Sequence, residues 1–402
     1  MGNETYLNTR AARYIETQQL TSKCQHLLRY LDSDGWCKKC TMKSVSSGHL
    51  GIDKFIKRTQ SKANNCRVDC FTLSRKSRVQ CPRSDAITVA LKSIKNSQEM
   101  TDDYIKRLKS YYRCSLSSKK REQSLLKFYG LTRDPSNGEY MLVIQYTEYG
   151  NIRTLLNTNF SSFQWSEKVW WLCDIASYLL TIHKAGYVHG NIHPGNILQL
   201  GINQRETSST LVDAGLSLPA NHYSTKVNKK DIYGVLPYMA PEVILGHPPT
   251  KESDIYSIGM LMIELSNGLP PYSDRKHDSR LALEIVKGSR PQISQNLPQV
   301  YIRLALDCCS SNPSSRPNAK ELLYVFSEWW TCINNTGEKV FQIQKAFMDA
   351  DEVLPTLELV KMNTLVKNSD AFYTSRLLKF EDVLKRVSSG SYFSINYDDD
   401  VI

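Results

Sequence analysis

The residues His-Gly-Asn-Ile-His-Pro-Gly-Asn at 189–196 decide how this sequence is interpreted. Three further motifs surround them in a definite order. Val-Ala-Leu-Lys at 89–92 comes before, and Asp-Ala-Gly at 213–215 and Ala-Pro-Glu at 240–242 come after. Each motif alone is a weak signal. All four in this order, with fitting secondary structure around each, are strong evidence for a single fold family.

The apolar pattern predicts a small sheet followed by a mostly helical region. Residues 86–92 alternate between apolar and polar, and 125–131 and 140–146 predict two further strands joined by a turn. Thr101 is a plausible N-cap for a helix over 101–113. Further helices are predicted at 166–185, 252–266, 279–287, 298–308, 317–328 and 340–361. Strands first and helices later favour an α+β fold with a small sheet lobe and a larger helical lobe.

Length and composition are those of a globular protein. The chain has 402 residues, which suits one two-lobed domain with extensions at both ends. Apolar residues make up 41% and charged residues 23%, so a sizeable core is expected. The net charge of +11 favours anionic partners such as phosphates or acidic proteins. The basic stretch at 105–121 is interpreted as a solvated helix face and loop, and nucleic acid is not an expected partner.

No membrane or export signal is found in the sequence. No run approaches the roughly 18 apolar residues of a membrane span. The N-terminus lacks a basic region followed by an apolar one, and Tyr6 stands where a myristoylation motif requires Ser or Thr. A cytoplasmic or nuclear protein that is not secreted is therefore expected.

The cysteines form only part of a metal-binding pattern. Eleven cysteines without an export signal do not argue for disulfides. Cys37 and Cys40 form a CxxC pair with Cys24 upstream, but a zinc site requires four ligands and a second CxxC is missing. Reduced thiols are favoured over zinc at Cys24, Cys37 and Cys40.

The chain is divided into three parts on composition. Residues 1–65 are a polar, cysteine-containing extension, and 331–402 are a tail with one helical stretch and an acidic end. Between them, 66–330 form the main domain, with a small lobe over 66–143 and a large lobe over 148–330.

The four motifs together resemble those of the protein kinase superfamily. In order, they resemble the strand lysine motif, the catalytic loop, the metal-binding aspartate motif and the end of the activation segment. The apolar run after Asp254 resembles the central helix of the large lobe, so the resemblance covers about 86–328. GVLPYMAPEV at 234–243 and the late YTSRLL at 373–378 are similar to the tyrosine-kinase-like group as expanded in some fungi.

The resemblance implies a site for ATP and Mg²⁺. Lys92 would hold the α- and β-phosphates, and Asn196 and Asp213 would hold the metal. Backbone groups of the hinge from Gln145 to Thr147 would bind adenine even where the phosphate-binding residues fail.

The resemblance also implies residues that hold the scaffold together. His189 would order the catalytic loop with Asp254 as its anchor, and Glu242 with Arg316 would form a fold-stabilising pair. His193 stands where many serine/threonine kinases have a lysine, and it is interpreted as a neutral loop histidine rather than a pH-sensitive contact.

Two departures concern the catalytic base and the phosphate loop. Asn191 stands where the family has the catalytic aspartate, and a neutral amide has no useful basicity. Losing a positioned base costs about 10²–10⁴-fold in rate. A glycine-rich loop should precede Lys92, because glycine lets backbone amides approach the phosphates. Residues 52–91 contain no glycine, so the small lobe is either rebuilt or truncated.

Two further departures concern the arrangement around the lysine. Alignment of 104–112 with the kinase helix places Arg107 at the position of the glutamate that pairs with the lysine, and two cations cannot form that pair. Glu122 lies outside the predicted helix and is a poor replacement. Ala214 replaces the phenylalanine of the metal-binding motif, which some members of the group tolerate.

Three hypotheses follow. The first is a catalytically impaired kinase-fold protein, a pseudokinase, that signals by binding a protein, with weakened binding of ATP and Mg²⁺. The second is an active serine/threonine or tyrosine kinase that transfers the γ-phosphate of ATP to a protein substrate. The third is a binder of nucleic acid or acidic surfaces through the basic face and the segment from Cys24 to Cys40, which an incomplete pattern supports least.

Overall fold

The described residues fall into two compact units. The first contains a small sheet and a helical stretch, and the second is mostly helical. A computed structural model of the chain describes Ile52 and residues 89–94, 97, 100–102, 104–106, 108–109, 126, 128–134, 137–147, 149–201, 208–212, 232–335, 341–364 and 368–378. Described residues up to 147 belong to the first unit, and those from 149 onward to the second.

The first unit contains a three-stranded antiparallel sheet. The strands are β1 (Val89–Ser93), β2 (Phe128–Arg133) and β3 (Tyr140–Gln145), and their order in the sheet is β1-β3-β2. A turn with Gly138 at φ 73° joins β2 to β3, as predicted. The predicted strands at 86–92, 125–131 and 140–146 are thus found with shifts of up to three residues at their ends.

A short helical stretch lies between β1 and β2. Residues 102, 104–106 and 108–109 are helical, within the helix predicted over 101–113. Tyr104, Ile105 and Leu108 are buried, which is the spacing of one helical face. Leu91, Leu142 and Ile144 of the sheet are buried in the same unit.

Helices form most of the second unit. They are α1 (Ile152–Asn159), α2 (Trp165–Lys184), α3 (Pro241–Ile244), α4 (Lys251–Asn267), α5 (Ser279–Val286), α6 (Gln299–Cys308), α7 (Ala319–Asn334) and α8 (Phe341–Thr364). All six predicted later helices are found. The sequence did not predict α1, which is only eight residues long, or α3, which has four residues.

The helix α4 is the centre of the second unit. It is buried on nearly all sides from Ser253 to Ser266, so it lacks the polar face of a surface helix. Thr250 caps its N-terminus by accepting the backbone N–H of Ser253, and Gly268, at φ 66°, ends it in the left-handed conformation.

The helix α8 packs into the same core, although it lies beyond the predicted main domain. Phe347 is fully buried, and its ring centroid lies 5.7 Å from that of Trp165 in α2 and 5.8 Å from that of Trp329 in α7. Ala350 and Leu354 are buried along the same helix. The described part of the region after residue 330 therefore contributes side chains to the core.

Two small antiparallel pairs of strands complete the second unit. β4 (Ile197–Gly201) pairs with β5 (Ser208–Leu211), and β6 (Ile232–Gly234) pairs with β7 (Arg376–Leu378). The second pair joins segments more than a hundred residues apart, which local patterns could not predict. Among the described helices, none is long and apolar enough to cross a membrane.

Candidate functional site

Asp254, in the first turn of α4, anchors the loop at 189–191. Its carboxylate accepts the backbone N–H groups of His189 and Gly190, both at 2.8 Å. It also lies 2.9 Å from Nε2 of His183, and it is 1% exposed. Three partners satisfy a carboxylate that would otherwise be costly to bury. The predicted anchoring role of Asp254 is confirmed, and His183 is a partner that the sequence did not reveal.

The ring of His189 ties this loop to the end of β5. Its Nδ1 accepts the backbone N–H of Asn191 at 3.3 Å, so the proton of the neutral ring is on Nε2. Nε2 lies 3.1 Å from the carbonyl oxygen of Val212, to which it donates. His189 therefore orders the loop, as predicted, and fixes the residue immediately before Asp213.

Asn196 is held within the same loop. Its Nδ2 donates to the carbonyl oxygen of Asn191 at 3.0 Å, and its own carbonyl accepts the backbone N–H of Val212 at 2.9 Å. With the amide nitrogen engaged, the side-chain oxygen of Asn196 is the atom suited to a hard cation such as Mg²⁺. Asp213, the other predicted metal ligand, lies outside the described residues.

Asn191 is buried, 7% exposed, and its side chain contacts a hydroxyl group. Nδ2 of Asn191 donates to Oγ of Ser375 at 2.9 Å, across 184 residues of sequence. The amide is thus a hydrogen-bond donor to the one serine hydroxyl that the structure records at this position. A carboxylate at the same position could only accept.

His193 folds back onto its own turn. Its Nδ1 accepts the backbone N–H of Gly195 at 3.1 Å, at the start of the 3₁₀ turn Pro194–Asn196. The interpretation of His193 as a neutral loop histidine agrees with this acceptor role.

Lys92 and the predicted hinge belong to the same sheet in the first unit. Lys92 of β1 pairs with Leu142 of β3, and Gln145, at the end of β3, pairs with Val89. Thr147 follows two residues later. Burial lowers the pKa of the Lys92 ammonium from its ordinary value of 10.5 to about 8. The structure therefore brings Lys92 and Gln145 onto neighbouring strands.

Glu242 and Arg316 form a two-pronged ion pair. Nη1 and Nη2 of Arg316 donate to the two carboxylate oxygens of Glu242 at 2.7 and 2.9 Å. Arg316 also donates from Nε to the carbonyl of Ser310 at 2.9 Å and from Nη1 to that of Glu252 at 3.0 Å. The predicted pair is confirmed, and it links the start of α3 to the turn before α7.

A family comparison now identifies the domain. The profile described as protein tyrosine and serine/threonine kinase matches residues 70–326 of this chain. The chain belongs to the protein kinase family. This confirms the two-lobed, α+β kinase-like fold, and the loop at 189–196 lies within the matched range.

Several named protein kinases are similar to this chain, and they are much longer than it is. Cell division control protein 7 of Schizosaccharomyces pombe is 29% identical over 284 residues, which are 69% of this chain and 24% of that protein. MAP3K epsilon protein kinase 1 of Arabidopsis thaliana is 28% identical over 202 residues, 50% of this chain and 14% of that protein. Several relatives from Dictyostelium discoideum have serine/threonine-protein kinase in their names. The chain spans a quarter or less of the length of the first two relatives.

Several positions at which the sequence departs from the kinase pattern lie outside the described residues. They are Arg107, Glu122 and Ala214 and residues 53–88 of the glycine-free stretch, and the predicted zinc ligands Cys24, Cys37 and Cys40 also lie outside. Proteins of this family use ATP and Mg²⁺ in general. Among the described residues, no cluster of three or more His, Cys, Asp or Glu side chains is arranged to hold a metal ion.

The C-terminal segment contributes a contact to the loop at 189–196 that the sequence does not predict. YTSRLL at 373–378 is similar to a family pattern, but the pattern assigns it no structural role. Ser375 of that pattern contacts Asn191. The family pattern at 373–378 was the only signal in the sequence for this contact, and it does not indicate a partner.

Proposed function

We propose that this protein is a pseudokinase that signals by binding a protein partner and transfers little or no phosphate. In an active kinase, the catalytic aspartate accepts the proton of the substrate hydroxyl as it attacks the γ-phosphate. The observation that carries the proposal is the direction of the hydrogen bond at this position.

The amide of Asn191 presents a donor where the reaction requires an acceptor. Nδ2 of Asn191 donates to the Ser375 hydroxyl at 2.9 Å. A donor draws electron density from the hydroxyl oxygen and makes it a poorer nucleophile. It also provides no site for the departing proton, so general-base assistance is lost.

Two features of the sequence alone support the same proposal. Arg107 at the position of the pairing glutamate cannot orient Lys92, and the absence of glycine over 52–91 removes the backbone that usually covers the phosphates. These changes affect lysine orientation and phosphate contact, whereas Asn191 affects proton transfer. Three parts of one mechanism therefore fail together.

The test is phosphotransfer by the full wild-type chain with radiolabelled ATP, Mg²⁺ or Mn²⁺, and mixed protein substrates. We expect transfer indistinguishable from a no-enzyme control. Turnover in the range usual for kinases, about 1–100 s⁻¹, would contradict the proposal.

An active kinase is the second candidate, and the order of the catalytic loop favours it. Asp254, His189 and Asn196 are held as a functioning loop requires, and Lys92 is present on β1. Binding of nucleotide through Lys92 is common to this candidate and to a pseudokinase with residual ATP affinity. Absence of any nucleotide binding would exclude this second candidate.

If nucleotide binds through Lys92, its affinity falls as pH rises through 8. The phosphates attract only the protonated lysine, and burial lowers the pKa of Lys92 to about 8. Below that pH the free protein already holds the proton, and above it binding must take one up. We expect about tenfold weaker ATP affinity at pH 9 than at pH 7. Calorimetry over this range measures it, and Lys92→Met should bind weakly and without the pH dependence.

The more specific assignments that the sequence suggests are also part of this proposal. They are membership of the tyrosine-kinase-like group, a cytoplasmic or nuclear location, and an N-terminal extension that ends at residue 65, whereas the predicted boundary at 330 falls within α7. The hinge role of Gln145 and Thr147 and the metal-binding roles of Asn196 and Asp213 also belong to it. The similarity of 373–378 to that group's pattern supports the first of these.

A further inference from the structure

The segment 368–378, here called the tail segment, adds a strand to the kinase domain beside the catalytic loop. In β7, Leu378, Leu377 and Arg376 pair antiparallel with Ile232, Tyr233 and Gly234 of β6. β6 lies just before the Ala-Pro-Glu motif at 240–242. Backbone pairing of this kind recognises an extended peptide whatever its side chains, and pockets for alternate side chains add the specificity.

Gly234 of β6 lies beside Asn191. Gly234 has φ 159°, and a Cβ at this position would lie 2.8 Å from Cε of Met239 and 3.7 Å from Oδ1 of Asn191. A side chain there would crowd the methyl group of Met239, whereas its distance to Asn191 would be an ordinary van der Waals contact. Because Gly234 also pairs with Arg376, β7 runs next to the position of Asn191.

Alternate residues of the tail segment point into the domain. Tyr373, Ser375 and Arg376 are partly buried and Leu378 is buried, whereas Phe372, Thr374 and Leu377 are exposed. Over residues 372–375 this is the alternation of an extended strand lying on a surface. Tyr373 and Ser375 have separate partners, and that of Ser375 is Asn191.

Tyr373 fills a site built from Arg153 and His277. The Arg153 guanidinium lies 4.7 Å from the centroid of the Tyr373 ring, and the His277 ring meets it edge-on at 4.9 Å. The Tyr373 hydroxyl donates to the carbonyl of Pro271 at 2.9 Å. Both the face and the hydroxyl of a tyrosine are thus recognised.

Other residues of the kinase domain hold the Arg153 side chain in position for its contact with the Tyr373 ring. Nη2 of Arg153 lies 2.6 Å from the hydroxyl of Tyr238 and 3.4 Å from a carboxylate oxygen of Glu264. The hydroxyl of Tyr238 in turn donates to Glu264. Nε and Nη1 of Arg153 are buried without a hydrogen-bond partner, so the ring of Tyr373 covers a desolvated cation.

His277 clasps the backbone of the tail segment. Its backbone N–H donates to the carbonyl of Asp370 at 3.1 Å. Its ring Nδ1 accepts the backbone N–H of Phe372 at 3.1 Å and lies 3.0 Å from the carbonyl oxygen of the same residue. Its carbonyl accepts a hydrogen bond from Nη2 of Arg376 at 2.6 Å. Its Nε2 lies 3.0 Å from the carbonyl oxygen of Tyr272 and donates to it, which leaves Nδ1 as the acceptor of the neutral ring. Burial lowers the pKa of His277. In addition to its ring contact with Tyr373, His277 therefore forms hydrogen bonds to three residues of the tail segment.

We propose that β6, Asn191, Arg153 and His277 form a peptide-binding groove, and that the tail segment is its tethered occupant. The groove takes an extended peptide with tyrosine two positions before a small hydroxyl residue and arginine directly after it. While the tail segment is docked, it excludes any other peptide, including a partner's segment of the same pattern. The proposal concerns the same loop as the proposed function, but it does not depend on whether phosphate is transferred.

Exclusion by a tethered segment follows from its effective concentration. A ligand joined by a short linker competes at about millimolar concentration, so a free peptide of equal intrinsic affinity binds poorly. Weakening the tethered copy while leaving the groove intact should therefore reveal binding of a free, unaltered copy.

The experiment uses a fluorescent peptide with the sequence of residues 366–380, added to the full chain without nucleotide and followed by anisotropy. We expect at least tenfold tighter binding to the Tyr373→Ala chain than to wild type. The matched control is Tyr324→Ala, which alters an exposed tyrosine on α7 and should bind like wild type. The same peptide with alanine in place of its tyrosine should not bind any of these chains.

A second variant covers the case in which Tyr373→Ala fails to fold. Arg376→Ala removes the contact with the His277 carbonyl from a partly exposed position and should also increase peptide binding. No gain with either folded variant would overturn the groove, as would equal binding of the two peptides. Because no ATP is present, such a failure would leave the proposal of lost phosphotransfer untouched.

Discussion

Replacing Asn191 with aspartate should raise the rate of phosphotransfer by about 10²–10⁴-fold, the usual contribution of a positioned base. The backbone around residue 191 is already held by His189 and by Asn196, so the new carboxylate would take up the position of the amide. There it would accept the hydroxyl proton that the Asn191 amide cannot accept. The measurement is γ-phosphate transfer to protein at saturating ATP and Mg²⁺.

Two variants distinguish the effect of a restored catalytic base from the effect of a groove occupied by the tail segment. Asn191→Asp should be assayed alone and combined with Tyr373→Ala, because the docked tail segment would otherwise exclude a protein substrate. Asn318→Asp is the matched control. It makes the same chemical change at the N-cap of α7, where aspartate is an equally good cap, and should leave the rate unchanged. An unchanged rate in both Asn191→Asp chains would show that Asn191 does not limit transfer.

Replacing Arg316 with alanine should destabilise the second unit by about 3–5 kcal/mol, the usual cost of breaking a buried ion pair. The side chain of Arg316 is 0% exposed and that of Glu242 is 17% exposed. Truncation leaves the Glu242 carboxylate without its bidentate partner, and it leaves the carbonyls of Ser310 and Glu252 without their donor. Urea unfolding of the full chain, followed by tryptophan fluorescence, measures the loss.

Arg275, an exposed arginine, is the control for the Arg316 variant. Arg275 pairs with Asp274 at 2.9 Å and with Glu284 at 3.1 Å, but its side chain is 45% exposed. Exposed pairs contribute about 0.2–1 kcal/mol, because solvent screens the charges. Arg275→Ala should therefore cost far less than Arg316→Ala. Equal losses from the two variants would mean that burial does not set the strength of the Glu242–Arg316 pair.

Periodicity and motifs are the two features of the sequence that predicted most of the fold. The alternating strand at 86–92 and the helical face of 166–185 were visible because each is set by neighbours within a few residues. The same locality explains the missed helix α1, which is too short to show a clear period. The anchoring of the loop by Asp254 was available only through the family motif, since His189 and Asp254 lie 65 residues apart.

Neither periodicity nor motifs could predict contacts between segments that are distant in the sequence. The pairing of β6 with β7 and the bond between Asn191 and Ser375 depend on where the chain returns after α8. Backbone pairing has little sequence preference, so a three-residue strand such as β7 carries no signature of its partner.

The residue types at the motif positions were enough to predict the kinase fold, and they place an asparagine at 191, where the resemblance implies a catalytic aspartate. What the Asn191 amide contacts, and which segment lies beside it, depend on the folded chain. The tertiary structure also gave Lys92 its lowered pKa and placed α8 in the core. Burial and hydrogen bonding are properties of neighbours in space, and folding selects those neighbours from the whole chain.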